Sequence, residues 1–189
     1  MPAIELRPGF FMFAIVLAAL DRSGSVLPIL CAMAVHELAH IVMMLACGGQ
    51  VRRLTLRFAD LQIAASGLGY RQELLSALAG PLVNLICGAA FCMQRPSFAA
   101  YSLMLGIYNL LPVWPLDGGR VLRCALLARL PITQAEHISE IVSFAACAVL
   151  LLIGVFLTFF RKSGLWPLGT AAYLTVRLLM LARRTDTVQ

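Results

Sequence analysis

Apolar residues in this chain are grouped into long, nearly unbroken stretches rather than spaced along one face. Six stretches stand out: Gly9–Leu20, Ser25–Cys47, Glu73–Met93, Phe98–Leu116, Ile138–Phe160 and Leu165–Leu181. A helix needs about 20 apolar residues to cross the hydrocarbon core of a bilayer. The pattern therefore predicts an all-α polytopic membrane protein with about six transmembrane helices. The first stretch is short and is followed at once by Asp21 and Arg22. Its leader, MPAIELRPG, balances one arginine against one glutamate, a poor start for a signal peptide, so this stretch is read as a retained helix.

The period changes between the second and third stretches, in GGQVRRLTLRFADLQIAASG. Leu54, Leu56 and Phe58 alternate with Thr55 and Arg57, and Leu61 and Ile63 follow Ala59-Asp60. Alternation about a short turn predicts a β-hairpin over Val51–Ala65. No internal repeat or low-complexity tract is visible, and the chain closes on a short polar tail.

Composition agrees with the pattern. The 189 residues are 61% apolar and 13% charged, with mean hydropathy +0.88. Soluble domains run nearer half apolar and a quarter charged. Residues 1–189 are read as a single membrane domain. The net charge of +6 does not argue for a nucleic-acid partner, because the basic residues lie between apolar segments, where they set topology. With the amino terminus inside and alternating spans, Arg7, Arg52, Arg53, Arg57, Arg71, Arg120, Arg123, Arg129, Arg177, Arg183 and Arg184 fall on the inner side. Only Arg22, Arg95, Arg161 and Lys162 fall outside. This bias predicts a multi-pass protein of the cell membrane with both termini and the hairpin on the cytoplasmic side. The six cysteines are scattered, without a C-x-x-C pair, and read as small apolar helix residues.

One stretch resists this description. AVHELAHIVMML, Ala34 to Leu45, places His36, Glu37 and His40 inside a membrane helix. Each ionisable group at that depth costs on the order of 3 kcal/mol on insertion scales. Residues four apart share a helix face, so His36 and His40 can offer imidazoles to one metal ion, while Glu37, offset by about 100°, can reach a water beside it. H-E-x-x-H in this form supplies two zinc ligands and a general base. A catalytic zinc usually takes a third protein ligand, and Asp60, Asp117, Glu136, His137 and Glu140 are candidates. Asp117 is favoured, because it follows an apolar segment broken by Pro112 and Pro115 and precedes Gly118 and Gly119. Such breaks are tolerated at membrane depth only where protein or a watery cavity satisfies the backbone.

HELAH, AGPLVN (Ala79–Asn84) and NLLPVWPLDGG (Asn109–Gly119) together resemble, in order, the three signatures of the site-2 protease family of intramembrane zinc metalloproteases, peptidase family M50. The chain also resembles the small six-helix subgroup typified by the stage IV sporulation FB-type protease. That resemblance implies His36, His40 and Asp117 as ligands of one Zn2+ per chain, and Glu37 as catalytic base. It also implies hydrolysis of a peptide bond in a membrane-embedded or membrane-associated protein near the cytoplasmic face, as in regulated intramembrane proteolysis of a transcription-factor precursor or an anti-sigma factor. Regulatory membrane proteins are further expected partners. The hairpin would correspond to the edge strand with which the family is thought to bind substrate. Sporulation-type members often carry a nucleotide-binding CBS domain and other subgroups a PDZ insertion; neither is expected here.

Asn84 and Asn109 are candidates for holding substrate backbone or the developing oxyanion, although an amide at membrane depth also serves as a helix-to-helix hydrogen bond. Trp114 reads as an interfacial or packing aromatic, and His137 as a surface histidine. Two rival functions remain. A metal-binding transporter would spread polar residues along several helices, whereas the last two stretches carry almost none. An inactive scaffold of the same family would have no use for Glu37.

Overall fold

The computed structural model describes residues 3–6, 19, 21, 24–56, 61–161 and 165–186. The first apolar stretch, apart from Ala19, and Asp60 lie outside them. Among the described residues the chain is mostly helical. It divides into two compact units, Met1–Leu110 and Leu111–Gln189, which are taken in turn.

The first unit holds strand β1 (Ala3–Leu6), helix α1 (Val26–Ala46), strands β2 (Gln50–Leu56) and β3 (Leu61–Ser66), and helices α2 (Tyr70–Ala90) and α3 (Pro96–Asn109). Helix α1 starts where the Asp21 carboxylate accepts from the Ser25 and Val26 N–H groups, at 2.9 and 3.0 Å. This satisfies donors that a first turn leaves unpaired and places a negative charge at the positive end of the helix. At its far end, Gln72 of α2 donates through Nε2 to the Cys47 carbonyl (3.1 Å), while its Oε1 accepts from Gly69 N–H (2.8 Å). One side chain thus closes α1 and opens α2. Both helices have 21 residues, about 30 Å of rise, and both are long and apolar enough to cross a membrane.

Helix α3 packs on α2 and α1 along the small buried residues Ala99, Ser102 and Gly106. Small side chains let membrane helices approach closely, so that packing replaces the missing hydrophobic drive. The sequence pattern predicts one span over Phe98–Leu116. Instead α3 stops at Asn109 after 14 residues, because Pro112 and Pro115 cannot continue it. In the sheet, β2 lies between β1, parallel to it, and β3, antiparallel to it. Gln50 faces Ser66 and Leu56 faces Leu61. The tip of the expected hairpin, residues 57–60, lies outside the described residues. The four-residue strand β1 was not expected from the pattern.

The second unit begins in the broken segment and continues as helices α4 (Asp117–Leu127), α5 (Ile132–Phe159) and α6 (Trp166–Asp186). The pattern did not separate α4 as an element. Helix α5 starts six residues earlier than the apolar stretch that marks it, and its 28 residues rise about 42 Å. Its first turns carry the exposed Glu136, His137 and Glu140. From Ile141 onward it is apolar and also long enough to span a bilayer. Leu152, Phe156 and Phe159 on α5 are exposed, a surface suited to lipid. Among the described residues, three helices long and apolar enough to cross a membrane, with exposed apolar side chains, mark this as a membrane protein.

Candidate metal centre

The H-E-x-x-H residues occupy the middle of α1, where the i, i+4 spacing brings the two imidazoles together. His36 and His40 are each only 5% exposed. Their rings meet edge to face, 4.7 Å between centroids and 86° between planes, and the two Nε2 atoms are 3.1 Å apart. Two nitrogens bound to one tetrahedral zinc at about 2.0–2.1 Å would stand about 3.3 Å apart. The pair is therefore preset close to the bite that such an ion requires. Glu37 is half-buried on the neighbouring face of α1.

The surroundings come from α2. His40 donates from Nδ1 to the main-chain carbonyl of Ser76, 2.7 Å away, since a carbonyl oxygen can only accept. That bond fixes the tautomer: the proton sits on Nδ1, and the lone pair of Nε2 faces His36. Ser76 Oγ donates in return to the His40 carbonyl (3.3 Å), so α1 and α2 are joined twice at one level. Gly80 gives the rings their space. A Cβ there would overlap His40 Nε2 and come within 2.9 Å of His36 Cε1. Asn84, one helical turn further, is fully buried and stands 3.3 Å from His36 Nδ1 through Nδ2. Asn109 is elsewhere in chemistry: it donates to its own helix, to Leu105 O at 3.0 Å.

In the second unit, Asp117 forms the first turn of α4, where a carboxylate suits the helix dipole. It is 8% exposed and pairs with Arg120 at 3.6 Å. The preceding loop is held from α5: Trp114 N–H donates to Ser143 Oγ (3.1 Å), which donates to Ser139 O (2.8 Å). Gly119 lets the first turn of α4 press on that loop, for a Cβ would stand 2.6 Å from Trp114 N. Val113 is fully buried beneath it. The Trp114 ring lies under Arg123, 5.9 Å to the guanidinium carbon, and Arg123 bonds Glu136 at 2.8 Å. Of the other candidate ligands, Glu136, His137 and Glu140 are exposed on α5.

The model of peptidase family M50 matches residues 95–153, which contain the Asn109–Gly119 signature. Zinc metalloprotease MJ0392 of Methanocaldococcus jannaschii is 27% identical over 172 residues, covering 80% of this chain and 51% of that protein. Stage IV sporulation protein FB of Bacillus subtilis is 26% identical over 169 residues, covering 82% of this chain and 58% of its own. The chain is similar to the M50 peptidases. It spans a little over half the length of these two curated relatives. The solved structure of a site-2 protease from Methanocaldococcus jannaschii superposes with TM-score 0.66 at 21% identity, over 94% of this chain and 89% of that one, a likeness that speaks to the fold alone.

Three features of the pair's surroundings carry no assignment in the sequence reading: the Ser76 carbonyl, the space at Gly80, and the contact of Asn84 with His36. AGPLVN carries two of these residues. A main-chain carbonyl leaves no mark in the identity of its residue, so Ser76 had no sequence signal.

Proposed function

We propose that this chain is an intramembrane zinc metalloprotease that hydrolyses a peptide bond in a membrane-embedded or membrane-associated protein near the cytoplasmic face. The observation that carries the reading is the buried His36–His40 pair, with Nε2 atoms 3.1 Å apart and one tautomer fixed by a main-chain carbonyl. Two imidazoles with the carboxylate of Asp117 are, in this reading, a donor set of the kind found with a catalytic zinc. Zinc in that set supplies Lewis acidity, polarising a carbonyl and making water nucleophilic near neutral pH. His36 and His40 hold it as neutral ligands, and Asp117 adds the negative charge. Glu37 is the general base: its carboxylate takes the proton of the attacking water and returns it to the leaving amine.

A peptide bond inside a helix is shielded by its own hydrogen bonds, so substrate must unwind before it can be cut. A strand edge of the β2–β3 pair would supply replacement backbone partners, which is β-augmentation. In this reading residues 1–189 act as one six-span domain, with the hairpin and both termini cytoplasmic. Asn109 remains available to substrate backbone or the oxyanion.

The test is co-expression with membrane-tethered candidate substrates, comparing the unaltered chain with Glu37→Gln. Cleavage lost with zinc retained is the expected result; equal cleavage by both ends the protease reading. His36→Ala and Asp117→Ala should each lower zinc content, and undiminished zinc in Asp117→Ala would remove that ligand from the set.

A further inference from the structure

The imidazoles of the pair are held by different kinds of partner. His40 is tied to a main-chain carbonyl, which accepts and nothing else. His36 Nδ1 faces the side-chain amide of Asn84, which can donate through Nδ2 or accept through Oδ1. With Nδ2 toward the ring, as here, the amide donates to Nδ1, and the proton of His36 belongs on Nε2. That arrangement suits two imidazoles hydrogen-bonded to each other. It does not suit two imidazoles sharing a cation, because a proton then occupies the lone pair that His36 must offer. In the same orientation Asn84 Oδ1 is buried without a hydrogen-bond partner among the described residues, on a side chain that is 0% exposed. A fully buried amide oxygen without a partner is an unstable arrangement, and it belongs to the amide that faces His36 Nδ1.

One rotation gives Oδ1 a partner and frees the Nε2 lone pair of His36. We propose that Asn84 is the positioning residue of His36, with Oδ1 accepting from Nδ1–H when zinc is held. Turning the amide by 180° brings Oδ1 to the ring, moves the neutral imidazole's single proton from Nε2 to Nδ1, and turns the Nε2 lone pair toward His40. His36 gains and loses no net proton. Both ligands then follow the same rule, Nδ1–H to an oxygen and Nε2 to the metal, which orients the rings and raises their basicity as donors. This assignment rests on the zinc reading above and takes Asn84 out of direct contact with substrate.

The test uses the full chain in detergent, with zinc affinity measured by competition against a chromogenic chelator. Asn84→Leu keeps the branching at Cγ in a somewhat larger side chain and removes the acceptor; Asn84→Asp keeps an acceptor and removes the donor. Loss of such an outer partner typically weakens metal binding 10–100-fold, and that loss is expected for Asn84→Leu. Asn84→Asp is expected to stay within about threefold of the unaltered chain, because a carboxylate is an equally good partner for a ligating imidazole. A merely structural role would lower the thermal unfolding midpoint in step with affinity, so equal losses in both variants, or a loss in Asn84→Leu that only follows its midpoint, overturn the assignment, as does unchanged affinity in Asn84→Leu. The metalloprotease reading survives either result if the unaltered chain binds zinc and cleaves. Absence of zinc binding in the unaltered chain overturns both.

Discussion

The Nε2 atoms of His36 and His40 stand 3.1 Å apart on adjacent turns of α1, with ring planes at 86°. With His40 protonated at Nδ1, two bare lone pairs at that distance would repel, and either a proton or a cation must lie between them. A cation relieves the repulsion most completely and offsets the burial of polar rings. Removing zinc by dialysis against a strong chelator should therefore abolish cleavage and lower the thermal unfolding midpoint, since a ligand that binds only the native state stabilises it. Re-addition of zinc, and not of magnesium, should restore both, because imidazole suits zinc whereas magnesium prefers oxygen ligands.

Glu37→Gln separates binding from chemistry. General-base assistance typically contributes 10²–10⁴-fold, so cleavage should fall by about that factor while zinc content and unfolding midpoint stay near those of the unaltered chain. Single-turnover cleavage in detergent measures it.

Gly80→Ala is expected to be far worse than a methyl group on an exposed helix face. The added carbon would overlap His40 Nε2 and crowd His36 Cε1. Overpacking typically costs about 1–3 kcal/mol, and relief by moving the rings would spoil the 3.1 Å bite. Zinc affinity should drop sharply, as read by chelator competition.

Ser143→Ala tests how the loop before Asp117 is held. It removes the oxygen that accepts from Trp114 N–H and leaves a partly buried donor unpaired, at about 1–3 kcal/mol. A lower unfolding midpoint should accompany slower cleavage. Arg123→Ala is the contrast. Its bond to Glu136 is short at 2.8 Å, but the two side chains are 33% and 52% exposed. Pairs of that kind contribute about 0–1 kcal/mol, so the midpoint should hardly move.

The sequence made the ionisable residues of α1 legible because burial makes them expensive: three such groups in five positions of a membrane helix demand an explanation. The break before Asp117 was legible for a related reason, since two prolines cannot both belong to a continuous span. The separate helix α4 was not, because its residues DGGRVLRCALL mix polar and apolar positions over only 11 residues, too short to register as a span. The early start of α5 escaped for the opposite reason. Glu136 and Glu140 suit a helix start by their charge, but Ile132–Ala135 precede the apolar stretch and carry no span signal of their own. Least legible were the partners of the imidazoles. Which helix level of α2 faces His40 depends on packing, and the accepting atom at Ser76 is common to every residue type.

That last point bears on how such a site changes over generations. The acceptor for His40 belongs to the polypeptide backbone, so replacing the serine by another residue leaves it in place as long as the helix persists. The counterpart beside His36 is encoded by a single codon. Inheritance can therefore adjust the two rings unequally, keeping one as a constant while the other is open to variation.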